Sequence, residues 1–245
     1  MNIVDIGDVI SDSLRYPTSN WFKVIILGVL FLISFLIIPI FLALGYMFRV
    51  IKASLVGVEE LPAFEEWGEM LVEGIKLFLV YMIYTLPAII ISIISFISLW
   101  SSLMTLTNIT QTSGTTVTPD MFLALIGGTA IIGLIIAGLY ILVIYPIMAV
   151  AIGNMAYYNG ELGAAFRFDE IFSIISQIGW VDLIIWYIVV IMVGIAIGFV
   201  VSIIGIIPIL GWIILIFIVY PYFYLFYARA IAWLYFSAFV EEYVP

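Results

Sequence analysis

The chain has 245 residues, 66% of them hydrophobic and only 9% charged, with a mean hydropathy of +1.34; soluble domains carry about 25% charged side chains. Cysteine and histidine are both absent, which excludes disulfides, thiolate nucleophiles, the usual zinc sites, haem ligation by histidine and histidine acid–base catalysis. The net charge of −9 argues against nucleic acid and against adsorption to anionic lipid, both of which favour basic surfaces.

Residues 1–21 carry Asp5, Asp8 and Asp12 and read as an amphipathic N-terminal segment rather than a cleavable signal peptide. The first apolar run, about Phe22 to Phe48 with Pro39 inside it, reads as one tilted or kinked span that doubles as an uncleaved anchor. A hairpin bent at Pro39 is the alternative, but each arm would be only ~21 Å long against a hydrocarbon core of ~30 Å. Four further spans follow: about Ile75 to Ser101 with Pro87, Met121 to Ala156 with Pro146, Trp180 to Gly205, and Gly211 to Phe239 with Pro221. Interior prolines are tolerated in membrane helices because neighbours satisfy the freed carbonyls. The expected fold is all-α: a polytopic transmembrane helix bundle of about five spans, six if the first run is a hairpin. Residues 1–245 would form a single integral membrane domain with short amphipathic surface helices.

Arg49, Lys52 and Lys76 flank the first long connector, Arg167 lies between spans three and four, and Arg229 lies late in span five. The basic side faces the cytoplasm, which puts loops 49–74 and 157–179 and the C-terminus there. A single first span then leaves Arg15 and Lys23 outside, against the charge rule. The connector 103–120 has no basic residue and reads as an external polar loop. It carries the sequon Asn108-Ile109-Thr110, which can be glycosylated where the machinery exists.

Six of the sixteen acids fall in the connector Gly57 to Gly74, with no Lys or Arg. On a helix, at ~100° per residue, Glu65, Glu66, Glu69 and Glu73 share one face opposite Phe64, Trp67, Met70, Leu71 and Ile75. Residues 57–74 therefore read as an acidic cytosolic surface helix. Its acidic side is either a solvated face, a docking surface for a basic cytosolic protein, or a Ca²⁺ or Mg²⁺ site. The last is disfavoured because acids along a straight helix do not converge. A second surface helix, Leu162 to Gln177, has Asp169, Ser173, Ser176 and Gln177 on its polar side.

Spans one, three and five end alike, with a proline followed eight or ten residues later by a polar residue: Pro39 to Arg49, Pro146 to Asn154, Pro221 to Arg229. The stretches Glu60 to Phe64 and Glu161 to Phe166 also match, with a fainter echo at Ala238 to Glu242. This reads as a unit of helix, surface helix and helix present twice, plus a truncated third copy. Arg229 and Asp182 are the charges closest to membrane depth; they are interfacial anchors or part of a substrate pathway, and they could pair with each other. Gly194, Gly198 and Ser202, and Thr129, Gly133 and Ala137, form small-residue seams that allow close helix approach within or between chains.

The segments Tyr16-Pro17 with Trp21, GYMFRVIK (45–52), GVEELPAFEEWGE (57–69), Gly74-Ile75-Lys76 and Tyr84 to Pro87 resemble a predominantly archaeal membrane-protein family, domain of unknown function 4013. The resemblance implies a multi-pass membrane protein and brings no activity, cofactor or catalytic residue. No paired acids or activated nucleophile are visible in the spans, so an enzyme is not expected and no cofactor is assigned. The partners expected are the lipid bilayer and a basic cytosolic protein. The oligomeric state is left open. The function expected is that of a non-catalytic scaffold or envelope-associated protein with an acidic cytosolic docking surface; a small transporter or channel subunit for a neutral or lipophilic solute is the alternative.

Overall fold

The structure, a computed structural model, describes residues 6–114, 116, 118–121 and 129–239. Among these it is helical apart from short connectors, with no strand. The helices are α1 (Ile6–Arg15), α2 (Trp21–Leu32), α3 (Ile38–Leu55), α4 (Trp67–Ser113), α5 (Thr129–Tyr157), α6 (Phe168–Ile178), α7 (Trp180–Ile204), α8 (Leu210–Ile214) and α9 (Tyr220–Phe236). Five helical stretches are long and apolar enough to cross a membrane: Ile38–Leu55, Trp67–Thr112, Ala130–Tyr157, Trp180–Ile204 and Leu210–Phe239. The seven-residue start of the expected third span, 122–128, and Glu241-Glu242 lie outside the described residues.

The chain packs as two compact units, Met1–Val80 with Pro146–Pro245, and Tyr81–Tyr145. The second is a pair of helical arms whose only charged residue is Asp120. There the small-residue seam on α5 is used within the chain, because a Cβ on Gly133 would collide with the Ser95 hydroxyl of α4. Ala137 is buried. The other seam, on α7, is largely free: Gly198 has no atom within 4 Å of where its Cβ would be.

The first apolar run is not one continuous helix. It breaks into α2 and α3 through a 3₁₀ turn (Ser34–Leu36) and Ile37, whose φ is +69°. The two ends of the run return to one place: Lys23 Nζ donates to the Leu61 carbonyl at 2.5 Å and Leu61 N–H donates to Ser19 Oγ. The backbone thus folds back as in the hairpin alternative, with unequal arms of 12 and 18 residues, of which only Ile38–Leu55 is long and apolar enough to count among the five span-length helices. The turn closes its own backbone bonds, Leu36 N–H to Ile33 and Ile37 N–H to Ser34, so it needs no polar residues to sit among apolar surroundings. Pro39 occupies the first turn of α3, where its missing N–H costs nothing.

Two of the expected helix boundaries also shift. Residues 57–66 form no helix; α4 starts at Trp67 and runs for 47 residues, ~70 Å at 1.5 Å per residue. Its far end absorbs the expected external loop up to Ser113. Within it Thr105, Thr107, Thr110 and Thr112 satisfy their hydroxyls by folding back onto carbonyls three or four residues earlier. The second surface helix does form, as α6 behind a 3₁₀ turn (Leu162–Phe166). Asp169, Ser173, Ser176 and Gln177 are exposed as expected, opposite buried Ile171, Ile174, Ile175 and Ile178.

Candidate functional site

The strap of residues 57–66 links α3 to α4 without regular backbone pairing, so its carbonyls need partners from elsewhere. Side chains from four neighbouring elements supply them. Arg229 Nη1 donates to the Val58 carbonyl at 2.9 Å and Tyr16 Oη to that of Glu60 at 3.0 Å. Lys23 holds Leu61, and Tyr46 Oη donates to the Pro62 carbonyl at 3.0 Å. Arg49 holds both Glu65 and Glu66, through Nη1 and Nη2. Burial raises the Tyr16 phenol above the ordinary tyrosine range, against the opposing pull of Ser54 and Arg229, which keeps the proton it donates. An aromatic stack closes the strap on one side, with Phe64 on Tyr46 at 3.8 Å and Trp67 on Phe64 at 5.9 Å between ring centroids.

The candidate docking acids gather around Arg49. Its Nη2 lies 3.6 Å from Glu66 Oε2 and 4.0 Å from Glu69 Oε2, and its Nε lies 3.5 Å from Glu73 Oε2. Glu73 Oε1 accepts from Lys52 Nζ at 2.8 Å. Glu73 is thus no member of a solvated face: its side chain is 5% exposed, a buried carboxylate held by two cations as burial requires. Glu65, Glu66 and Glu69 remain exposed. Among the described residues no three acidic, histidine or cysteine side chains come together as a cation site would need; what these acids share is an arginine.

Close backbone approach makes this packing achievable. A Cβ on Gly45 would fall on the Met70 carbonyl and one on Gly74 on the Phe41 carbonyl. The α3–α4 crossing is therefore built on two glycines, which places Arg49 and Lys52 over the first turns of α4.

Arg229 sits in the same unit, 3% exposed. Its carboxylate partner is Asp12 of α1, with Nε to Oδ2 at 2.7 Å, and not Asp182. The indole of Trp233 donates to the same Oδ2 at 2.6 Å. The guanidinium also stacks on Tyr16, 4.5 Å from the ring centroid. Asp182 stands in the first turn of α7, where an acid complements the positive helix end. Asn108 is exposed on α4, so the sequon lies on a helix and not on a loop.

The repeat gains a physical meaning here. In each copy the polar residue after the proline binds a backbone carbonyl of a connector: Arg49 binds Glu65 and Glu66 and Arg229 binds Val58, all of the strap, and Asn154 Nδ2 binds Ala164 of the 3₁₀ turn at 3.0 Å. Asn154 is fully buried and also accepts from Tyr235 Oη at 2.7 Å.

A family of proteins of unknown function, DUF4013, matches residues 26–206. The chain belongs to this family. The match contains the strap and the Arg49–Glu73 cluster, whereas Asp12 and Arg229 lie outside it. Neither a curated protein nor a solved structure matches the chain.

Sequence reasoning missed Asp12, Tyr16, Lys23, Tyr46 and Lys52 as strap and cluster residues. One signal was available: Arg229 and Trp233 are four apart on a helix and so share a face. The strap holders come from segments distant in sequence, which no local pattern connects.

Proposed function

We propose that this protein is a non-catalytic integral membrane scaffold, associated with the cell envelope, which offers a rigid acidic face to a basic protein in the cytosol. The observation that carries the reading is the division of charge in the larger unit. Lys23, Arg49, Lys52, Lys76, Arg167 and Arg229 are all engaged with carbonyls or carboxylates of the protein itself. Glu60, Glu65, Glu66 and Glu69 are exposed. A strap already fixed through its carbonyls loses little entropy when a partner binds, which favours affinity. The charge rule supports a cytosolic position for this end. The hairpin also brings Arg15 and Lys23 to the side of Arg49 and Lys52, removing the conflict that a single first span creates. The N-terminus, the strap, residues 157–179 and the C-terminus then share the cytosol.

The test is photo-cross-linking in cells from positions 65 and 69. Capture of a basic protein, lost in the Glu65→Lys/Glu69→Lys double variant, is the expected result. Recovery of lipid and self alone overturns the reading.

One observation favours the transporter alternative. An apolar groove of ≈ 640 Å³ in the smaller unit is lined by Ala88, Ile93, Phe96, Leu134, Ala137 and Gly138, among others, and would suit a lipophilic solute. Reconstituted protein that moves no lipophilic probe across liposomes rules this alternative out.

A further inference from the structure

A second cavity, of ≈ 270 Å³, opens in the larger unit between α1, the end of α3, the strap and α9. Asp12, Ser54, Glu59, Arg229, Trp233 and Phe236 contribute to its lining. It holds the volume of about nine waters at ~30 Å³ each and lies at the low end of ligand pockets, which start near ~300 Å³. The fitting ligand is therefore a small group.

The lining selects its charge. Two carboxylates, Asp12 and Glu59, face one guanidinium, an excess of one negative charge. Arg229 is already engaged, with Nε on Asp12 Oδ2 and Nη1 on the Val58 carbonyl. Trp233 Nε1 occupies the same Oδ2. Among the described residues Asp12 Oδ1 accepts no hydrogen bond and the Glu59 carboxylate has no ion partner. Ser54 Oγ is closed off within the wall, beside the Tyr16 phenol.

An anion would meet the excess negative charge and an arginine already in use. An apolar group would bury oxygens without partners. A primary ammonium brings one positive charge and three donors, which suit Asp12 Oδ1 and the Glu59 carboxylate. We propose that this cavity binds a primary ammonium group, carried either by a small free amine or by an amine-bearing lipid headgroup.

The test is calorimetric titration of the full chain in phosphatidylcholine nanodiscs with ethylammonium, using ethanol and tetramethylammonium as controls. Ethylammonium binds saturably, tetramethylammonium more weakly for want of donors, and ethanol not at all. Glu59→Gln weakens ethylammonium binding about tenfold, the worth of one charge-assisted hydrogen bond. Glu59 holds no ion pair in the protein, and unchanged melting of the variant verifies the fold. Repeating the titration in phosphatidylethanolamine nanodiscs separates the sources: competition identifies the headgroup, and undiminished binding identifies a free amine. Absence of saturable binding, equal binding of ethanol, or indifference to Glu59→Gln overturns the proposal. Cross-linking from positions 65 and 69 reads the docking face separately, so the two fail independently.

Discussion

Arg229 shows how one side chain ties three segments of distant sequence. Its guanidinium binds α1 through Asp12, the strap through Val58, and the rings of Tyr16 and Trp233. Removing one partner of a buried pair costs about 3–5 kcal/mol; the Asp12 side chain is 43% exposed, so water recovers part of that. Arg229→Ala is expected to lower stability by about 2 kcal/mol in chemical denaturation, and Arg229→Lys by less. Tyr46→Phe removes only the hydrogen bond to Pro62 and should cost about 1 kcal/mol. Arg229 was identifiable from sequence as a charge near membrane depth, but its partner was not. Asp12 lies 217 residues away, and Asp182 looked the nearer choice only while α1 was assigned to the opposite side.

Among the elements, the α3–α4 crossing and the α2–α3 turn carry the sharpest tests. Gly45→Ala and Gly74→Ala put a methyl onto a carbonyl of the facing helix and should each destabilise by about 2 kcal/mol or more. Gly198→Ala fills open space and should stay within about 0.5 kcal/mol; parallel melting of the three variants checks the contrast. Ile37 is β-branched at φ +69°, a conformation costing about 1–3 kcal/mol, so Ile37→Gly should raise the melting temperature. The amphipathic pattern of α6 was legible because a surface helix exposes its own period. The strap misled because an acidic face at helical spacing also arises when carboxylates converge on one arginine, and spacing cannot distinguish the two.

For the whole molecule, topology is the deciding property. The cysteine-free chain suits single-cysteine labelling. Ser11→Cys, Glu65→Cys and Gln177→Cys should react with an impermeant maleimide from one side of the membrane, and Thr112→Cys from the other. Labelling of position 11 from the side of position 112 would overturn the hairpin arrangement. Composition and the length of the apolar runs were enough to establish an all-α chain with helices able to cross a membrane, because lipid leaves the backbone few other solutions. The family was legible from the strap and its flanks, since glycines and cations there meet requirements that few residues satisfy. Only the tertiary structure decided that the first run folds back, that Glu73 is buried, and which carbonyls the cations hold. Hydropathy counts apolar residues but is blind to a turn that closes its own hydrogen bonds. A contact spanning 217 residues leaves no periodic trace; it exists only once α1 and α9 pack together.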